Sequence, residues 1–132
     1  MQIKFSAEPT GDAVAYLAYE GDKGFEFGGG LEAAGEAAFR RAASAGTFKG
    51  GTGQILEILA AEWSDAPRAL LVGVGKKSAL TEVGWQRAAA GLVKRLLISG
   101  AKSLAIVGAP DRGVAAQLAF GARLAAYRFD NY

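Results

Sequence analysis

The chain has 132 residues, 15 Lys and Arg against 13 Asp and Glu, a formal net charge of +2, 51% hydrophobic residues, and neither Cys nor His. That length suits one domain able to bury roughly two-thirds of its unfolded surface, and the composition is globular rather than disordered. Without Cys and His there is no disulfide framework, no Ser-His or Cys-His nucleophile and no zinc site of the usual ligands, so any metal site would have to use oxygen ligands.

Residues 2–6 (QIKFS) alternate apolar and polar and predict a strand, and residues 13–20 (AVAYLAYE) predict a second. Thr10-Gly11-Asp12 lies between them and predicts a hairpin turn. Residues 21–30 (GDKGFEFGGG) read as a glycine-rich loop. From Leu31 to Ser44 the pattern becomes helical, with Leu31, Ala34, Ala38 and Ala42 on one face, Phe39 beside them and Gly46 as the stop. Residues 48–54 (FKGGTGQ) predict a tight turn in which Gly50, Gly51 and Gly53 take positive φ.

Residues 54–62 (QILEILAAE) fit a strand or a short helix. Residues 68–75 (RALLVGVG) are apolar on both faces, as a central strand requires. Residues 79–100 predict a long helix, with Thr81 as N-cap, a stripe of Trp85, Ala88, Ala89, Leu92 and Leu96 edged by Val93 and Leu97, and Gly100 as the end. Residues 103–110 predict another buried strand. Residues 111–129 predict a last helix capped by Asp111, with Leu124, Ala125 and Ala126 packing its end on the sheet.

The order β-β-α-β-β-α-β-α predicts an α/β fold: a three-layer α/β/α sandwich whose mixed sheet combines a hairpin with a right-handed parallel crossover. No internal repeat, low-complexity tract or linker divides residues 1–132, so one domain is expected. No apolar run approaches the roughly 18 residues of a membrane span, and the first residues (MQIKFSAEPTG) have no signal-peptide core. A cytoplasmic chain with no membrane partner is the expectation.

Two glycine loops could carry chemistry. Gly73 and Gly75 lead into Lys76-Lys77 and a helix, a setting in which backbone N–H groups can bind phosphate. The spacing matches neither a P-loop nor a dinucleotide fingerprint, and a purely structural turn explains it equally. Gly28, Gly29 and Gly30 either let a ligand approach the backbone or form a plain loop. Trp63 and Trp85 could stack a base or sugar, but Trp85 lies on a core stripe and Trp63 beside a turn, where partial exposure is expected.

Glu20/Asp22, Glu32/Glu36 and Glu62/Asp65 are the close acidic pairs. Glu32 and Glu36 sit one helical turn apart, which fits a solvated helix face as well as aligned carboxylates. The basic pairs Arg40-Arg41, Lys76-Lys77 and Lys94-Arg95 would form a nucleic-acid surface only if they shared a face. No catalytic, cofactor-binding or metal-binding residue is assigned.

Three stretches together resemble a known family. RALLVGVGKKSALTEVGWQRAAAGLVKRL is similar to the strand–LLVGLGK–helix segment in the amino-terminal domain of cytosolic leucyl aminopeptidases. TFKGGTGQILEI resembles the F-x-G-x-x-G turn and strand preceding it there, and GARLAAYRFDNY resembles the G-x-x-LA-x-YRFD-x-Y junction with the catalytic domain. Where many members carry a basic residue after the first glycine of the turn, this chain has Gly51.

The resemblance implies a macro-domain-like fold in a cytosolic exopeptidase. That enzyme releases amino-terminal residues using two divalent ions, manganese or zinc, held by a separate catalytic domain. It also implies partnership with that domain and with sister subunits of a homohexamer, peptides as the parent's substrate, and a non-catalytic assembly role for these 132 residues. DNA binding, known in some bacterial members, and binding of ADP-ribose or a related nucleotide through Gly28–Gly30 and Gly73–Gly75 are the alternatives. The aromatic run Tyr127, Phe129 and Tyr132 would then pack under a linker or against the catalytic domain, which predicts exposed Phe129 and Tyr132 in this chain; the alternative is that the run caps the domain's own core, Tyr127 foremost.

Overall fold

The computed structural model describes residues 2–5, 12–22 and 24–130. Among these residues, six strands form one mixed sheet, β1 (Gln2–Phe5), β2 (Ala13–Gly21), β3 (Gly24–Phe27), β4 (Ile55–Leu59), β5 (Arg68–Gly73) and β6 (Ser103–Val107), and three helices flank it, α1 (Ala33–Ser44), α2 (Glu82–Ser99) and α3 (Arg112–Asp130). The spatial order is β1-β6-β2-β5-β4, with β3 also paired to β2. β1, β6, β2 and β5 run parallel, while β4 joins β5 and β3 joins β2 antiparallel. The three-layer α/β/α sandwich predicted from the sequence is present.

Several sequence expectations change. β1 and β2 are not a hairpin, because β6 lies between them and pairs in parallel with both, Gln2 opposite Ser103 and Ala13 opposite Leu104. Asp12 supplies the reason. Its N–H donates to Ser103 Oγ at 2.8 Å and its carboxylate accepts from the Lys102 N–H at 3.0 Å, so it ties the start of β2 to the start of β6.

The glycine-rich stretch 21–30 holds β3. β6 ends opposite Tyr16, which leaves the backbone of Ala18–Gly21 without a partner on that side until Gly24–Phe27 folds back on it. Gly51 does not take positive φ, whereas Gly50 (+82°) and Gly53 (+84°) do. The segment that fitted either strand or helix is strand β4, with Ile55 opposite Val72 and Leu59 opposite Arg68.

β2 is buried on both faces, and its alternate residues feed two cores. Ala13, Ala15, Leu17 and Tyr19 join Leu70 and Val72 under α2 and α3, which contribute Trp85, Leu92, Leu96 and Leu118. Val14, Tyr16 and Ala18 join Phe39 and Ala43 of α1 on the other side. The helix ends follow the predicted chemistry. Thr81 Oγ1 accepts from the Gly84 N–H at 3.1 Å, Gly100 closes α2 at φ +84°, and Asp111 Oδ1 accepts from the Val114 N–H at 2.8 Å. α2 begins at Glu82, because Lys77–Ala79 form a separate 3₁₀ turn. Among the described residues no helix is long and apolar enough to cross a membrane.

Candidate interaction surface

The glycine loops singled out in the sequence lie at the carboxyl ends of the parallel strands, where open α/β sheets commonly bind ligands. Here the chain itself occupies the space. A Cβ on Gly73 would collide with the Gly51 carbonyl, and one on Gly50 would meet the Tyr19 carbonyl oxygen at 2.9 Å. Gly30 abuts the Val107 side chain, and a Cβ on Gly108 would stand 2.8 Å from the Gly29 oxygen. Gly73–Gly75 therefore packs on the turn at residues 50–53, and Gly28–Gly30 packs on the end of β6. The two loops do not form a shared cradle.

Gln54 fixes the first of these contacts, its Oε1 accepting from the Lys49 and Gly51 N–H groups at 2.9 Å each. A shallow groove between the starts of α2 and α3 is lined by Thr81, Glu82, Trp85, Asp111 and Gln117. Two carboxylates there oppose a phosphate.

The basic pairs do not share a face. Arg40 lies on the α1 side, with its guanidinium 5.0 and 4.9 Å from the Phe25 and Phe27 rings. Arg95 lies on α2 and bonds Glu57, while Lys77 sits 4.7 Å from the Tyr19 ring and 3.8 Å from Glu26. Trp85 is buried as expected, and Trp63 is half-buried against Tyr16 and Phe39. Burial pushes the phenol of Tyr16 above its ordinary pKa, with a smaller contribution from Glu32, and burial does the same for Tyr19. Both stay neutral near pH 7, so neither is poised as a base. Among the described residues no group of three or more acidic side chains converges to hold a metal ion.

Among the described residues Glu57 is the one carboxylate held between two arginines. It accepts from Arg68 at 2.8 Å and from Arg95 at 3.1 Å. Burial raises its pKa, but the two hydrogen bonds and the two positive charges outweigh burial and leave it below the usual carboxylate range. The group clamps edge strand β4 to β5 and α2.

The feature that sequence reasoning missed is the outer surface of α2 and α3. The two helices approach so closely that a Cβ on Gly121 would collide with the Gln86 carbonyl, and Gln86 Nε2 donates to Gln117 Oε1 at 2.6 Å. On their solvent side runs a groove lined by Val83, Arg87 and Ala90 from α2 and by Leu124 and Arg128 from α3. Val83 is 52% exposed, Phe120 55% and Leu124 38%. Leu124 thus faces outward rather than packing on the sheet, whereas Ala125 beside it is buried. Tyr127 is exposed as well; Tyr132 and the side chain of Phe129 lie outside the described residues. A spacing of i, i+4 and i+7 in Phe120, Leu124 and Tyr127 is the signal that marks this stripe.

A family model described as the N-terminal domain of the cytosol aminopeptidase family matches residues 17–132. A curated relative from Caulobacter vibrioides, named probable cytosol aminopeptidase, is 39% identical over all of this chain but only 28% of its own length. A Rhodopseudomonas palustris relative of the same name is 32% identical over 98% of the chain and 27% of its own length. Among solved structures, a tomato leucine aminopeptidase mutant superposes with a TM-score of 0.66 at 17% identity, over 95% of this chain and 28% of that one. The bottromycin maturation enzyme BotP in complex with Mn gives 0.63 at 26% identity, over 93% of this chain and 24% of that one. The chain spans a little over a quarter of the length of the curated relatives it matches.

Proposed function

The chain belongs to the cytosol aminopeptidase family, as its N-terminal domain, and from that premise we propose that residues 1–132 are one non-catalytic assembly domain of a metal-dependent leucyl aminopeptidase. The observation that carries the reading is one of extent. The family model for the N-terminal domain accounts for residues 17–132, while the relatives named as aminopeptidases are more than three times as long.

The parent would remove amino-terminal residues from peptides in the cytoplasm. Two divalent ions, manganese or zinc, would activate the attacking water in its remaining portion, which is the usual division of labour in a two-metal hydrolase. The 132 residues would contribute a folded body and an interface, in a homohexamer with sister subunits. The scatter of their carboxylates and the structural use of their glycines support that assignment of roles.

The test is a comparison of hydrolysis. The 132-residue chain and the longer polypeptide that contains it are each assayed on leucine p-nitroanilide with added manganese or zinc. Turnover is expected from the longer polypeptide alone. Metal-dependent turnover by the purified 132-residue chain would overturn the reading.

A further inference from the structure

β4 is the last strand on its side of the sheet, and its far edge carries a regular row of backbone groups. The Gln54 carbonyl accepts from the Gly73 N–H at 2.7 Å, and the Ala60 N–H donates to the Pro67 carbonyl at 2.8 Å. The even-numbered residues of this stretch therefore face β5. Ile55, Glu57 and Leu59 turn both N–H and C=O outward, and no hydrogen bond among the described residues engages those groups. Sheet edges are commonly blunted by proline or by an unpaired charge. The strand ILEIL has no proline, and its one charged side chain is already held by Arg68 and Arg95.

The two sides of this edge differ in chemistry. On the α1 side Leu56 and Ile58 are half-buried, and Ala42, Ala43, Thr47, Phe48 and Leu56 line a groove between the end of α1 and the start of β4. On the α2 side two guanidiniums face one carboxylate, a surplus of one positive charge. Arg95 engages Glu57 through Nε at 3.1 Å and is about half exposed, so its terminal nitrogens are available to a further acceptor. Leu59 ends the strand on this side and is 61% exposed.

We propose that the open edge of β4 binds an extended peptide segment of a separate polypeptide as an added antiparallel strand. The segment carries apolar side chains at the alternate positions facing α1 and a carboxylate among those facing α2. The backbone sets its conformation, because each outward residue of β4 exchanges both of its bonds with one residue of an antiparallel partner. Charge selects its composition. Two copies of the chain joined β4 to β4 would bring two carboxylates and four guanidiniums together and double the positive surplus, whereas a peptide carboxylate cancels it. The site uses only β4 and its neighbours and does not depend on the aminopeptidase reading.

Fluorescence anisotropy with the C-terminally labelled peptide acetyl-VTVEVTV tests the proposal on the 132-residue chain and on the longer polypeptide. Acetylation removes the free amino terminus that an aminopeptidase requires, so binding reports the edge and not a catalytic chamber. Saturable binding is expected with both proteins. Backbone N-methylation of the two threonines and the glutamate removes three donors and should weaken binding by about tenfold or more. The same change at the valines, whose N–H groups point away from β4, should alter it by less than about twofold. Lysine in place of the peptide glutamate should weaken binding about fivefold at low salt and less at high salt. Leu59→Pro removes one outward N–H, leaves the ladder to β5 intact and should weaken binding of the unmodified peptide. Arg95→Ala alters a half-exposed side chain and should erase the difference between the glutamate and lysine peptides.

No binding to the short chain at millimolar peptide would overturn the proposal, as would equal sensitivity to the two methylation patterns. Binding to the short chain that disappears in the longer polypeptide would also overturn it, because the edge would then be covered within one polypeptide. A dimer of the short chain in sedimentation equilibrium that Leu59→Pro dissociates would assign the edge to a second copy instead.

Discussion

The two faces of the sheet solve the same covering problem differently. One helix, α1, covers the face that carries Val14, Tyr16 and Ala18, and large rings fill the space it leaves. Phe39 sits between Tyr16 and Trp63, with ring centroids 6.4 and 5.6 Å away. Two helices cover the other face. There the limiting quantity is the distance between helices, and small residues set it: Ala88, Ala89 and Ala122 are fully buried, and Gly121 meets the Gln86 backbone. A single helix needs volume beside it, and a pair of helices needs volume removed between them.

The comparison breaks first at Phe39. It is fully buried and anchors α1 against the sheet. Phe39→Ala should destabilise the domain by about 3–5 kcal/mol in urea unfolding, because neighbouring rings relax little into a hole of that size. A loss near 1 kcal/mol would mean that Tyr16 and Trp63 close the gap, and that the aromatic face is plastic. The helix-pair face should respond to addition instead. Gly121→Ala puts a methyl group into the Gln86 carbonyl and should cost about 1–3 kcal/mol by forcing α2 and α3 apart. An unchanged urea midpoint would show that the close approach is not required.

This asymmetry also explains what was legible in the sequence. The doubly apolar run Ala69–Val72, the caps Thr81 and Asp111 and the stop at Gly100 are local signals, and each appears where the sequence places it. β3 was hidden because Phe25 and Phe27 lie within a run of glycines, so composition outvoted a two-residue alternation. That β6 lies beside β2, where a hairpin would have put β1, is held by Asp12 bonding to residues about ninety positions away, which no turn signal between adjacent strands can reveal.

The outer groove was missed for a third reason. α3 is apolar nearly all round. Leu118, Ala122 and Ala125 form one i, i+4, i+7 stripe, and Phe120, Leu124 and Tyr127 form another, offset by two residues. At about 100° per residue those stripes point to roughly opposite sides. Periodicity therefore finds both, and only the packing on α2 decides which one is buried.

Glu57 is where the paired-helix face reaches the sheet edge, and its effect should be smaller. Glu57→Gln removes both ion pairs and should cost about 1 kcal/mol at pH 7, since Arg68 and Arg95 are partly solvated. The direction of the pKa shift sets the pH dependence. The folded-state value lies below the unfolded one, so the stabilisation is present above the ordinary carboxylate pKa of about 4.3 and is lost as pH falls through the lower folded value. The gap in stability between wild type and variant should therefore narrow below pH 4. A gap that stayed constant from pH 7 into that range would mean that Glu57 acts through packing and not through charge.

The smallest effect should have the opposite sign and separates crowding from flexibility on the helix-pair face. Gly91 lies in the middle of α2, and a Cβ there would meet nothing within 4 Å. Gly91→Ala should stabilise the domain by about 0.5–1 kcal/mol, because it removes backbone freedom from the unfolded chain and no contact opposes it. Gly121→Ala makes the same chemical change one helix away and gains the same entropy, but it meets a carbonyl. Thermal melts of the two single variants and the double variant resolve the cases. Opposite shifts that add in the double variant would assign the cost at Gly121 to the helix crossing alone. A destabilising Gly91→Ala would mean that α2 relies on its central glycine in a way that the spacing of the two helices does not explain.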